Sequence, residues 1–151
     1  MQTVDTRTAQ AGEPLPEQEA EPPRTRSAAF RLPARADRVS EARRLLRQQL
    51  DCWSAAGDVC DDAVLILSEL FTNAVVHTDS REIACQINAS GTLLYLATVD
   101  EGSGSVHTRP HEPDAEGGRG LFIVSTLAER WGVAGRPGTG RTVWATLRLS
   151  D

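Results

Sequence analysis

The chain has 151 residues, of which 16 are arginine and none is lysine, against 21 acidic residues, so its formal net charge is −5. Without lysine it cannot form a Walker-type phosphate loop, a protein-kinase-fold β3 lysine or a Schiff-base enzyme, because each of these needs an ammonium group. The acidic balance also argues against nucleic acid as a direct partner, since binding phosphates needs a clustered positive surface. The length suits a single domain.

Cysteine usage and hydropathy predict a reduced, cytoplasmic protein. The three cysteines are an odd number, form no Cys-x-x-Cys pair and lie at no zinc-ligand spacing from a histidine: Cys52, Cys60 and Cys85. No apolar run approaches the ~18 residues of a membrane span, and the N-terminus has acids where a signal peptide needs basic and then apolar residues. We therefore expect no membrane association.

The first half of the chain reads as a tail, a strand and two helices. Residues 1–26 are rich in proline and glutamate and predict a flexible tail, with a folded domain over 27–151. Alternating apolar residues before Pro33 predict a short strand. From Asp37 to Trp53 the apolar residues recur every three and four positions, which predicts an amphipathic helix. After Gly57, a nearly apolar run through Val76 predicts the most buried helix.

The second half predicts a hairpin, a loop, a third helix and a second hairpin. Strands are expected over 83–88 and 92–99, a glycine- and proline-rich loop over 101–118, and a helix over 120–130 capped by Gly132. Trp131 would lie on the apolar stripe of that helix. Strands at 133–134 and 141–149 would close the sheet, with Trp144 in the core. This order predicts an α+β fold, a two-layer sandwich whose antiparallel or mixed sheet is covered by helices on one face.

Three polar residues interrupt the apolar second helix at a helical repeat. Glu69, Asn73 and His77 are spaced i, i+4 and i+8, so they share one stripe. A solvent-facing stripe is the ordinary explanation for any one of them. The combination of a carboxylate, an amide and an imidazole also suits metal coordination and proton transfer, and this favours a functional site.

Two glycine-rich segments flank the predicted loop. Asp100 ends a strand and is followed by Gly102 and Gly104, and Gly118 and Gly120 enter the third helix. Glycine lets backbone amides approach an anion, and a helix N-terminus directs free N–H groups toward it. Together with the polar stripe, these segments predict a ligand site.

These motifs together resemble the ATP-binding domains of the GHKL (Bergerat-fold) superfamily. The segment from Glu69 to His77 is similar to the N box, and Asp100-Glu-Gly-Ser-Gly104 is similar to the first glycine box. Gly118-Arg-Gly120-Leu121 resembles the second glycine box, and Gly140-Arg-Thr142-Val-Trp144 the closing strand motif. The size and the run from Gly117 to Gly132 look most like the small anti-sigma-factor serine/threonine kinases of the RsbW and SpoIIAB type.

The resemblance implies ATP and Mg²⁺ as cofactors and a role for each matched residue. Asn73 would bind Mg²⁺ and Glu69 would be the general base, while Asp100 would accept a hydrogen bond from the adenine amino group. Gly102 and Gly104 would leave room for the purine. Thr142 would support the adenine contact through water. Gly118 and Gly120 would cradle the phosphates, with Leu121 in the same box.

Two of the matched positions have roles that the resemblance leaves open. Arg119 would be a charge partner for the phosphates. His77 would lie near the nucleotide, where a structural role and a catalytic one are both compatible with its position.

The partners follow from the same resemblance. The chain would bind a sigma factor and phosphorylate a serine of an anti-sigma-factor antagonist with a sulfate-transporter-and-anti-sigma-antagonist (STAS) domain, and a homodimer is compatible with the family. A non-catalytic ATP-binding module that docks a protein is the alternative. The ATPase part of a histidine kinase is disfavoured, because residues 1–35 contain no helix with a phosphoacceptor histidine.

Overall fold

The computed structural model describes residues 25–55, 57–101, 115–136 and 140–149. Most of the predicted tail and of the predicted loop over 101–118, including Gly102 and Gly104, lies outside the described residues. The elements in chain order are β1 Thr25–Pro33, a 3-10 turn Ala36–Arg38, α1 Val39–Cys52, α2 Gly57–His77, β2 Glu82–Ser90, β3 Leu93–Asp100, α3 Ala115–Leu127, β4 Arg130–Arg136 and β5 Gly140–Arg148.

The strands form one antiparallel five-stranded sheet in the order β1-β2-β3-β5-β4. Its inward face carries alternate residues such as Ile83, Ile87, Leu94 and Leu96, which are buried together with residues of the helices. This arrangement confirms the predicted two-layer α+β sandwich.

Helix α2 is the centre of the core. Nine of its residues are buried: Ala63, Val64, Ile66, Leu67, Ser68, Leu70, Phe71, Asn73 and Ala74. Helix α1 packs against it through Ala42, Leu46 and Leu50. The buried Ser68 hydroxyl donates to the Val64 carbonyl oxygen at 2.9 Å and accepts from Arg43 Nε at 2.8 Å, so it carries no unsatisfied group. Among the described elements, no helix combines the length and apolar character needed to cross a bilayer.

The third helix differs from its predicted boundaries at both ends. Helix α3 begins at Ala115, five residues before Gly120, and ends at Leu127 rather than at Arg130. The chain then joins the sheet, because the Glu129 N–H donates to the Thr146 carbonyl oxygen at 2.7 Å. The prediction that Gly132 caps the helix is therefore wrong, since Gly132 lies in β4 opposite Trp144.

The two tryptophans of the second hairpin lie on opposite faces of the sheet. Trp131 packs against the core from β4 and not from the stripe of α3. Trp144 faces away from the helices, where its ring stacks on Tyr95 with centroids 6.3 Å apart and an interplanar angle of 16°. The prediction that Trp144 is a core residue is wrong, because the strand alternation that buries Val143 and Ala145 turns Trp144 outward.

All three cysteines are free, and they differ in exposure. Cys52 is exposed, Cys60 is half-buried and Cys85 is buried in β2. Burial raises the pKa of the Cys85 thiol to about 12. Because the thiolate is the reactive form, Cys85 is a packing residue that stays protonated at neutral pH.

We expect Gly132→Ala to destabilise the fold. A Cβ at this position would lie 2.8 Å from Trp144 Cζ2 and 3.0 Å from Cε2, so the indole or the strand must shift, at a cost of about 1–3 kcal/mol. Chemical denaturation measures the change in the free energy of unfolding. Gly57→Ala is the matched control, because nothing lies within 4 Å of its added Cβ. Equal unfolding midpoints for the two variants would contradict the prediction.

Candidate functional site

Asp100 is the last residue of β3 and is almost fully buried. Its relative exposure is 4%, and it lies opposite Arg141 in the register with β5. Arg141 Nε is 3.9 Å from Asp100 Oδ2, which makes an ion pair at the end of the central strand pair. A buried carboxylate of this kind is retained only where a cation or hydrogen-bond donors compensate for its desolvation.

Asn73 faces the same place from α2. It is only 7% exposed, and its Oδ1 accepts a hydrogen bond from Arg141 Nη2 at 3.2 Å. The middle of the polar stripe therefore faces the end of the sheet and not solvent. Arg141 connects the amide of α2 with the carboxylate of β3, so the structure brings two of the predicted site residues together around one guanidinium.

Glu69 lies one turn earlier on α2, against Gly120 of α3. A Cβ built on Gly120 would lie 3.0 Å from Glu69 Oε1, so the two helices approach closely at this point and a side chain at position 120 would make the carboxylate shift. Gly120 is buried and Glu69 is half-buried. The structure therefore joins the predicted N box to the second glycine box through a direct contact.

Backbone geometry also shapes the site at the end of β5. Gly140 has φ of +108°, a conformation that side-chain-bearing residues rarely adopt. A Cβ there would lie 3.2 Å from the Asp100 carbonyl oxygen. Glycine at this position lets β5 begin beside Asp100 and place Arg141 next to it.

A serine and a threonine between α2 and β2 anchor the start of the segment after β3. The buried Ser80 Oγ accepts from the Glu101 N–H at 2.7 Å, and it receives a further hydrogen bond from Thr78 Oγ1 at 2.9 Å. The Ser80 N–H donates in turn to Thr78 Oγ1 at 3.0 Å. Sequence reasoning missed these two residues, because neither belongs to the quoted motifs. The only signal was the polar character of the segment after His77.

Thr142 is the predicted site residue that the structure does not bring to Asp100. It pairs with Val99, one position along each strand, so its side chain lies on the opposite face of the sheet. The position facing Asp100 belongs to Arg141. Strand alternation predicts that adjacent residues 141 and 142 face opposite ways, but only the register with β3 shows which of them faces the helices.

The remaining predicted residues lie on the helices. His77 is the last residue of α2 and is half-buried, and Leu121 is half-buried on α3. Gly118 and Arg119 are the fourth and fifth residues of α3, in a stretch whose side chains are not among those described. The helix was expected to start at Gly118 and Gly120. Because α3 begins at Ala115, only Gly118 falls among its first four amides, which lack an intrahelical acceptor.

Unsatisfied polar atoms mark the same end of the sheet. Within the described part of the chain, Arg141 Nε and Thr98 Oγ1 are buried without a hydrogen-bond partner, and Thr98 lies two residues before Asp100 on the same face of β3. Among these residues no group of three or more His, Cys, Asp and Glu side chains could hold a metal ion. The Asn73 amide oxygen is a single hard acceptor, and Mg²⁺, which keeps most of its water in protein sites, would need no more than one such ligand.

Comparison with known proteins gives a family match and matches to solved structures. The family profile of the histidine kinase-like ATPase domain matches residues 32–147. Nineteen chains of solved structures match, among them the crystal structure of the RsbU and RsbW domains of Rv1364c from Mycobacterium tuberculosis, with a TM-score of 0.65 and 22% identity. That match covers 83% of this chain and 33% of the other, so this chain spans about a third of its length. Among curated proteins no relative matches.

The family profile and the structural match together confirm the predicted GHKL-type, RsbW-like fold. The family profile spans every described element from the end of β1 to the last residues of β5, including all the residues around Arg141. The chain therefore belongs to the family of histidine kinase-like ATPase domains.

Proposed function

We propose that this chain binds ATP with Mg²⁺ at the site formed by α2, α3 and the adjoining ends of β3 and β5, and that it is a serine/threonine kinase of the anti-sigma-factor type. The observation that carries the proposal is the convergence of Asn73 and Asp100 on one guanidinium, beside the contact of Glu69 with Gly120. Family membership implies ATP binding, which supports the proposal.

Asp100 is proposed to hold the base. Its carboxylate is buried and can only accept hydrogen bonds when ionised, so it matches the exocyclic amino group of adenine. The unsatisfied Thr98 hydroxyl lies on the same face and supplies a further polar atom for a ligand or a bound water. Gly102 and Gly104, which lie outside the described residues, are proposed to leave room for the purine.

Asn73 and the start of α3 are proposed to hold the phosphate end of the nucleotide. The Asn73 amide oxygen would be a suitable single protein ligand for Mg²⁺, which would supply positive charge to the phosphates. The free amides in the first turn of α3, which include that of Gly118, carry the positive end of the helix dipole. Arg119 is proposed as an additional charge partner.

Glu69 is proposed as the general base of phosphoryl transfer. The serine hydroxyl oxygen of the acceptor protein bonds to the γ-phosphorus, the bond from that phosphorus to the bridging oxygen of ADP breaks, and the hydroxyl proton passes to the Glu69 carboxylate. The close contact with Gly120 keeps this carboxylate next to α3, beside the proposed phosphate end.

The partners are proposed from the RsbW-like fold. A sigma factor and a STAS-domain antagonist would compete for the chain in the cytoplasm, and a serine of the antagonist would receive the phosphoryl group. The match to a protein with an RsbU and an RsbW domain supports this choice over a metabolic ATPase. His77 and Leu121 would line the site, and Thr142 would act from the outer face of the sheet.

Asp100→Asn should weaken ATP binding measured by titration calorimetry. The amide has one acceptor oxygen instead of two and carries no charge, so it cannot accept from the adenine amine and face Arg141 with an oxygen at the same time; the cost is roughly 1–3 kcal/mol, which corresponds to about 5- to 150-fold in the dissociation constant. Asp37→Asn is the matched control, because Asp37 is an exposed carboxylate whose ion pair with Arg35 lies at the surface. Unchanged affinity in Asp100→Asn would mean that the base binds elsewhere.

Glu69→Gln and Asn73→Ala should separate catalysis from binding. Glu69→Gln retains size and hydrogen bonding but removes the basic lone pair, so ATP affinity should persist while phosphotransfer to a STAS-domain protein falls roughly 10²–10⁴-fold. Asn73→Ala should lose Mg²⁺-dependent binding and transfer together. Transfer is measured with γ-labelled ATP, and phosphoserine is mapped on the acceptor.

Glu82→Gln provides the control for the carboxylate substitution, because Glu82 is exposed at the start of β2. If the wild-type chain transfers no phosphate to any STAS-domain protein while ATP alters its affinity for a bound protein, the kinase is ruled out and the non-catalytic regulatory module is the function. Absence of any nucleotide binding would rule out both.

A further inference from the structure

Arg141 spans the proposed nucleotide site and has no assigned role in the motifs. Its Nη2 lies 3.2 Å from Asn73 Oδ1, and its Nε lies 3.9 Å from Asp100 Oδ2. One side chain therefore contacts the proposed metal ligand and the proposed adenine acceptor at the same time. The Arg141 side chain is 34% exposed and that of Asp100 is 5% exposed, so the guanidinium lies between a buried acid and solvent.

A divalent cation and this guanidinium would compete at Asn73. The Asn73 Oδ1 has two lone pairs, and one of them already accepts from Arg141 Nη2. A Mg²⁺ ion on the other lone pair would lie within a few ångströms of the guanidinium, where like charges repel strongly in a partly buried setting. Binding of the metal at Asn73 therefore favours movement of the arginine away from it.

The bridge that Arg141 forms between Asn73 and Asp100 also leaves a hydrogen-bond donor without an acceptor. Arg141 Nε is buried and makes no hydrogen bond within the described part of the chain, and 3.9 Å to Asp100 is an ion-pair distance rather than a hydrogen bond. A buried donor without an acceptor raises the free energy of the bridged arrangement. An outward rotation toward solvent is open to a side chain that is one-third exposed.

We propose that Arg141 is a positioning residue that holds Asn73 and Asp100 in the nucleotide-free site, and that Mg²⁺-nucleotide displaces it from Asn73. This inference rests on the proposed function, because it takes Asn73 as the metal ligand and Asp100 as the adenine acceptor. Nucleotide binding is then a competition in which part of the binding free energy breaks the Asn73–Arg141–Asp100 bridge.

Arg141→Met tests the competition, because methionine retains an unbranched apolar stem and removes both the charge and the donors. If the bridged form holds about nine-tenths of the nucleotide-free molecules, its removal should tighten the apparent dissociation constant of the Mg²⁺ complex of a non-hydrolysable ATP analogue roughly tenfold. The tightening that Mg²⁺ confers, measured against the same titration in EDTA, should be larger than in the wild type.

The matched control is Arg148→Met, on the same strand. Arg148 is exposed, faces the opposite side of the sheet and pairs with Glu129 at 2.8 Å, so its loss should leave nucleotide affinity unchanged.

Thermal unfolding of nucleotide-free Arg141→Met should occur at a lower temperature than for the wild type, because the bridge is gone. A purely structural arginine would weaken affinity along with stability, whereas the competition predicts opposite signs.

A spectroscopic readout follows the guanidinium itself. The Nε–H resonance of Arg141, assigned by its loss in Arg141→Met, should shift when the Mg²⁺ complex of the analogue saturates the wild-type protein, while that of Arg148 stays in place. If Arg141→Met does not fold, Arg141→Gln replaces it, with the same expected direction. A resonance that does not move, or a variant that binds no tighter, overturns the proposal.

The two proposals fail in different ways. If neither the wild type nor the variant binds nucleotide, the proposed function is wrong. If the wild type binds with an affinity that depends on Asp100 while Arg141→Met binds equally or more weakly, the proposed function stands and the role of Arg141 is overturned.

Discussion

A helix buried against a sheet and two other helices can carry a polar side chain only where that side chain finds a partner, and this constraint governs the structure. Helix α2 satisfies it twice: at Ser68, which bonds to its own helix and to Arg43 of α1, and at Asn73, which accepts from Arg141 of β5. The second contact fixes how the end of the sheet meets the helix. Asp100 then forms the ion pair with Arg141, because it lies opposite Arg141 in the antiparallel register.

Two glycines allow the remaining parts of the site to approach. Gly120 brings α3 against Glu69, and Gly140 lets β5 begin beside the Asp100 carbonyl. In both cases the space that a side chain would fill is occupied by a neighbouring oxygen atom. The glycines of the motifs therefore have steric reasons within the protein itself, in addition to any that a ligand imposes. These two close approaches allow short segments of α2, α3, β3 and β5 to meet at one end of the sheet.

The sequence predicted the parts of this structure that depend on local pattern. The apolar run of α2 with its polar stripe, the first hairpin and the two-layer arrangement all follow from periodicity. The predicted boundaries of the third helix were wrong at both ends. The predicted C-terminal boundary was too late because Leu121 and Val124 fit a helix whose apolar spacing continues through Ala128 to Trp131. Pairing of Glu129 and the following residues with β5 overrides that pattern, and such pairing is not visible locally. Arg141 was missed for the same reason, since the choice between it and Thr142 is decided by register alone.

The absence of lysine gives Arg141 its particular importance. Every fixed basic charge in this chain is a guanidinium, which is planar, stays protonated at all accessible pH values and forms several directed hydrogen bonds. Such a group can reach an amide and a carboxylate on different elements at once, which the point charge of an ammonium does less well. In the proposed function, the guanidinium of Arg141 stays in contact with Asn73 and Asp100 until a divalent cation binds. The charge of the transferred phosphate would then be compensated by that cation, by the first amides of α3 and by Arg141 once it is displaced from Asn73. Metal and nucleotide are therefore expected to bind as a unit rather than in sequence.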